Sequence, residues 1–300
     1  MQLRSKIFYW YAAFVVALTL LTLLPEPSQV TLTRFHLTPT GMRLLDITFL
    51  IAEFIIWFAG FYGYNKLSSY SRLIHSGEEG KRIAKLARGL LLLSIGLPIT
   101  ALLSGVLSII AAHNPGFAAP SVIINNYVGV VFPLLAMLWL SIGARGLGEL
   151  AKTRLRLRLL NVVVLATIVL GVIFCCLVVQ GHRQLRLVYH MSPELVMLTL
   201  GIPYMYTWFL GLYSAAELRT YSKKVAGVVY RKGWNLMIAG VLSLVFLSIM
   251  LQYLSTLTSW LASLTLYEIL ILLYVLLLFY IAAFIVFALG AKKLMKIEEV

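Results

Sequence analysis

The sequence predicts an all-α, polytopic integral membrane protein: eight transmembrane helices in two parallel four-helix repeats, 1–150 and 151–300, with both termini cytoplasmic. Three observations carry this expectation: an apolar composition, a lopsided placement of basic residues, and a fifteen-residue stretch that occurs twice. Of 300 residues, 61% are hydrophobic and 12% are charged, far from the balance of a soluble domain. A segment in lipid must satisfy its own backbone hydrogen bonds, so long apolar runs become helices.

Runs of about 20 apolar residues, enough to cross a bilayer, occupy 7–24, 44–65, 88–112, 122–144, 159–180, 195–216, 234–256 and 262–290. The first has a basic start like a signal peptide, but Pro25-Glu26-Pro27-Ser28-Gln29 stands where a small-x-small cleavage site would be. It reads as a retained span. The last two spans are separated only by a short Thr/Ser/Trp turn at 257–261. Cys175 and Cys176 are adjacent within the fifth span; neighbours rarely bridge each other, so two packed thiols are expected.

Of the 25 Lys and Arg, 21 lie near the chain ends or in the segments 66–88, 145–158 and 219–232. Arg34, Arg43, Arg183 and Arg186 alone occupy the alternate loops. The positive-inside rule then places the termini and the basic loops in the cytoplasm. The net charge of +14 sets topology and attracts anionic lipid headgroups. Divided among five short segments, it makes no nucleic-acid surface. No lipidation box or organellar presequence is evident, which leaves the plasma membrane as the expected location.

Duplication is written into the second and sixth spans. Trp57–Ser71, WFAGFYGYNKLSSYS, matches Trp208–Ser222, WFLGLYSAAELRTYS, at seven of fifteen positions without a gap. Upstream, Phe35-His36-Leu37-Thr38-Pro39 corresponds to Tyr189-His190-Met191-Ser192-Pro193, a hydroxyl residue and a proline before a span in both copies. Gly89 and Gly96 are matched with Gly233 and Gly240, and Gly143-Ala144-Arg145 with Gly290-Ala291-Lys292. That alignment gives the first cytoplasmic loop about seven extra residues around His75–Gly80, whose polar, glycine-flanked composition suggests a mobile, hairpin-like connection. Four spans per copy make the repeats parallel, related by an axis along the membrane normal.

Phosphate loops, dinucleotide fingerprints, HExxH and nucleophile elbows are missing, so the expectation leans away from an enzyme. Gly143-Ala-Arg-Gly146-Leu-Gly148 is glycine-rich at a helix end and reads as a close-packing device. Chemistry is expected where charge enters the membrane, because a carboxylate there costs at least ~2.5 kcal/mol. Glu53 sits near the middle of span two, with Asp46 two turns earlier on nearly the same face. In the second copy Glu53 aligns with Tyr204, in Gly201-Ile202-Pro203-Tyr204-Met205-Tyr206, where Pro203 should bend span six. One half thus offers carboxylates where the other offers the phenols of Tyr204 and Tyr206, a way to build one ligand or proton site between two similar halves. Asn125, Asn126, Gln252 and Glu268 add polar groups in the outer half, while the inner half reads as apolar and aromatic.

The expected function is a transporter or permease for a small molecule or ion, with its site between the halves. Two alternatives stand beside it. An accessory subunit of a membrane complex would need a membrane-protein partner and no site of its own. A haem or metal redox protein would use the outer-side pair His36 and His190, which the repeat makes equivalent.

Overall fold

The structure, a computed structural model, describes residues 39–74, 77–151, 157–180, 194, 197–225, 228–256 and 266–296. Among them lie seven α-helices: α1 (Pro39–Leu73), α2 (Gly77–His113), α3 (Ala118–Leu150), α4 (Leu157–Gln180), α5 (Ile202–Val225), α6 (Val228–Thr256) and α7 (Leu266–Lys296). A 3₁₀ turn, Pro115–Phe117, joins α2 to α3, and a π turn, Met197–Gly201, leads into α5. Four stretches are long and apolar enough to cross a membrane: Tyr127–Leu150, Arg158–Val178, Tyr230–Met250 and Tyr274–Met295. The chain is therefore all-helical and of membrane-embedded character. The first expected span, 7–24, and the break at 257–261 lie outside the described residues.

Helix ends follow local chemistry. α2 stops at Asn114-Pro115-Gly116, where the Asn114 N–H still donates to Ile110 O at 2.9 Å and Phe117 N–H donates to Asn114 O at 2.9 Å. Proline cannot supply the next helical donor. At the end of α3, Ala151 N–H donates to Leu147 O at 3.0 Å, and Lys224 Nζ donates to Ala151 O at 2.6 Å. A cation at a helix C-terminus complements the partial charge of its last carbonyls. A π turn stands just before Pro203, which has no N–H for the carbonyl of residue 199.

Six helices close into a ring. α1 packs on α2, α2 on α3, α3 on α5, α5 on α6, α6 on α7, and α7 back on α1, while α4 flanks α5 from outside. Trp57 of α1, Trp208 of α5 and Trp234 of α6 are among the largest fully buried side chains. An aromatic cluster ties α4, α5 and α6: Phe174 and Tyr253 both meet the Trp208 ring edge-on, at 6.1 and 6.0 Å between centroids. Trp208 Nε1 donates to Ser248 Oγ at 3.2 Å, and Tyr253 OH donates to Leu170 O at 2.8 Å. The outward face of α4 is apolar, with Val162, Leu165, Ile168 and Val172 exposed, as suits a helix lying against lipid. Cys175 and Cys176 are free thiols on this helix.

Small residues set the helix spacings. A side chain at Gly60 of α1 would collide with Ser94 of α2 and press on Phe284 of α7. One at Gly211 of α5 would collide with Val245 of α6 and meet Met137 of α3. The glycine-rich end of α3 packs as read: Gly143 faces Leu86 and the carbonyl of Arg82, and Gly146 faces the Arg82 side chain.

Two expectations about the first basic loop are corrected. Helix α1 ends at Leu73 and α2 begins at Gly77; α5 ends at Val225 and α6 begins at Val228. The two connections are nearly the same length, so the seven extra residues are not there. Gly77–Gly80, expected in a hairpin-like loop, is instead the first turn of α2, where Glu78 and Glu79 suit the positive end of the helix dipole. The glycine matching shifts with it. Gly89 abuts Ala136 and Leu140, and it is Gly240, not Gly233, that abuts Phe287 in the corresponding way. Gly233 instead sits against Gly290 and Leu294.

Candidate functional site at the basic end of the bundle

The ends of α1, α3, α5 and α7 and the starts of α2 and α6 meet at one end of the ring, rich in Lys and Arg. There, Tyr221 near the end of α5 donates its hydroxyl to Glu79 Oε1 at the start of α2, at 2.5 Å. The two residues are 142 positions apart, on helices that are not ring neighbours, so the bond crosses the bundle. Tyr221 is buried, its ring edge-on to Trp234 at 5.2 Å. Burial first, and the Glu79 carboxylate second, hold its phenol well above the ordinary tyrosine range. The hydroxyl therefore stays protonated and remains the donor. Tyr70 of α1 is buried too and lies within electrostatic reach of Tyr221. Tyr70 and Tyr221 are buried here beside Glu79, with Leu67 and Leu218 fully buried about one turn deeper.

A second polar group lies one turn deeper, at the seam of α3 and α5. Glu217 is 6% exposed and is the one charged side chain in the buried set among the described residues. It accepts from Tyr213 OH at 2.8 Å, and Arg145 of α3 lies within electrostatic reach while pairing with Glu149 at 2.9 Å. Burial pushes the Glu217 carboxyl above the usual range, opposed by the Tyr213 hydrogen bond and the Arg145 charge, with Glu149 adding a small upward push. The folded state therefore holds this proton more tightly than the unfolded chain does. Its stabilising contribution is complete below the ordinary glutamate pKa and is lost as pH rises through the folded-state value. Glu217→Gln is expected to flatten the pH dependence of thermal stability above the ordinary glutamate pKa, as read by helix signal in detergent. An unchanged slope would show that the group titrates normally.

At the same place along α1, Tyr62 and Lys66 occupy the positions of Tyr213 and Glu217, and Lys66 Nζ sits 5.6 Å above the Tyr62 ring. The sequence hid this pair of contrasts. Glu217 falls inside the repeated stretch, where it reads as one more rim charge, and Glu79 fell in the segment taken for a loop. The signal that could have found Glu217 is the sign reversal at Lys66, the one charged position of the repeated stretch where the copies carry opposite charges.

The residues expected to form a midplane site are placed as follows. Asp46 and Glu53 lie in α1, Asn125 and Asn126 in α3 and Glu268 in α7; their side chains are outside the described set. Tyr204 of α5 is half-buried and packs beside Val130 of α3 and Leu200. Tyr206 is exposed, turned away from that packing. His36 and His190 are outside the described residues. No protein-family model, curated protein or solved structure matches the chain.

Proposed function

We propose that the chain is an eight-span, internally duplicated permease for a small molecule or ion, with its site between the halves near Glu53 and Tyr204. The single observation that carries this reading is the ring itself. Its two sets of three helices make the same contacts in the same order: α1–α2–α3, then α5–α6–α7, each set ending on the start of the other. The triad Gly60, Ser94 and Phe284 and the triad Gly211, Val245 and Met137 are equivalent under that exchange. Two similar bodies meeting at two seams is the arrangement that lets one rock against the other around a shared site. The Tyr221–Glu79 bond joins the two bodies at the basic end, which the positive-inside rule makes cytoplasmic, and keeps that end shut. The membrane is taken as the plasma membrane, with both termini inside.

Flux in proteoliposomes tests this directly. Purified protein, reconstituted with a pH dye inside and candidate solutes outside, should support a protein-dependent proton or solute flux. Glu53→Gln is expected to lower that flux at least tenfold while leaving helix content unchanged, because the substituted amide cannot carry the proton or charge. Equal fluxes in the two proteins, or none in either across amino acids, sugars and inorganic ions, would remove the transport reading.

A further inference from the structure

A cavity of about 390 Å³ opens at the basic end between the last turns of α1 and the first turns of α2. Its polar lining is Tyr64, Ser68, Ser71, Arg72, Lys81 and Arg88. We propose that this cavity is a binding site for a phosphate-bearing anion, independent of the midplane site and of the transport reading.

Charge, shape and chemistry agree. Three cations line the space, and the acid beside it, Glu78, pairs with Lys81 at 2.9 Å. Both partners of that pair are more than half exposed, at 71% and 57%, so it is weak and readily exchanged for a stronger anion. The local balance of two positive charges matches a phosphate monoester or the headgroup of an anionic phospholipid. Hydroxyls of Tyr64 and Ser68 supply neutral hydrogen bonds of the kind phosphate oxygens accept, whereas Ser71 already donates to Ser68 O at 2.8 Å. Arg88, which also lines the space, holds its guanidinium over the Trp139 ring of α3, 5.2 Å from its centroid. The volume falls within the range of about 300–1,000 Å³ of small-ligand pockets.

Small residues line the space at Gly77, Ala84 and Ala87, while Gly80 lets α2 approach the Ser71 carbonyl, which a side chain there would strike. At the same places along α6, counted from the matching helix start, stand Val228, Arg231, Asn235 and Ile238. Ile238 is buried there, so a larger side chain stands where α2 has Ala87. Basic residues at a membrane rim need no cavity to serve topology. A cavity lined by small residues beside those charges is a separate feature.

The test uses the full chain in two arms. Glycerol 3-phosphate is titrated calorimetrically into protein in phosphatidylcholine nanodiscs. Native mass spectrometry then counts lipid retained from an equal mixture of phosphatidylglycerol and phosphatidylcholine. Saturable binding in the first arm identifies a soluble phosphate ester, and selective retention in the second alone identifies a headgroup; either supports the site. Arg72→Gln is expected to weaken the binding about tenfold by removing one charge-assisted bond. Ala84→Phe, which fills the space and leaves every charge in place, is expected to abolish it. No selective binding in either arm, or binding that both correctly folded variants leave unchanged, overturns the proposal.

Discussion

Trp208→Ala is expected to destabilise the bundle by about 3–5 kcal/mol, the cost of removing a large buried aromatic that its neighbours cannot replace. The ring is fully buried, touches α4 and α6 through Phe174 and Tyr253, and donates to Ser248. Truncation leaves a void at a three-helix junction and an orphaned packing face on α4, which holds to the ring mainly through α5. Between helices in lipid, such packing is itself the main adhesive. Trp57→Ala is expected to cost a similar amount, because Trp57 is equally buried and packs against Phe54 and Phe61 at 5.8 and 5.9 Å. Tyr206→Ala, at an exposed position of the same α5, should stay within about 0.5 kcal/mol of the wild type. Unfolding in mixed micelles of rising dodecyl sulfate content, followed by helix signal, measures all three. A Trp208→Ala protein as stable as Tyr206→Ala would contradict the packing described for the junction.

Much of this architecture is legible in the sequence, for definite reasons. Helical class follows from composition alone, since lipid leaves the backbone few alternatives. The burial of Trp57 and Trp208, of Leu67 and Leu218, and of Tyr70 and Tyr221 was foreshadowed by their identity between the copies. Those residues pack inside the bundle. The glycine matching failed because Gly89 and Gly96, like Gly233 and Gly240, are seven apart. Sliding by two helical turns superposes one glycine on the other and keeps the same face. Glu78 and Glu79 were misplaced because a Gly-Glu-Glu-Gly segment carries turn chemistry and helix-start chemistry at once. The Tyr221 hydroxyl that meets Glu79 in the helix comes from 142 residues away and leaves no local trace. The order of helices around the ring was equally hidden, since short loops fix which helices follow one another but not where the ring closes.

Breaking the cross-bundle bond carries the other large expectation. Tyr221→Phe removes one hydroxyl, leaves the aromatic packing on Trp234 intact, and takes one donor from the Glu79 carboxylate. Glu79→Gln keeps the shape and removes the charge, so the Tyr221 bond weakens from charge-assisted to neutral, about twofold in energy. In the permease reading the closed state should lose population in both variants, more in Tyr221→Phe. A bond of this type is worth about 1.5–3 kcal/mol, enough to shift a two-state equilibrium roughly ten- to hundredfold. Variants of the neighbouring Glu78, which is exposed and engaged with Lys81, should leave the equilibrium where it is.

The distance across the basic end tests the central claim most directly. Spin labels at Arg72→Cys and Lys223→Cys, both exposed and near the ends of α1 and α5, are introduced with Cys175 and Cys176 replaced by alanine. Pulsed electron-spin measurements in nanodiscs should give one narrow, short distance for the otherwise unaltered protein. A second, longer population should grow in Tyr221→Phe and, to a smaller extent, in Glu79→Gln. One unchanged distance in all three proteins would contradict a bundle whose two halves part at this end.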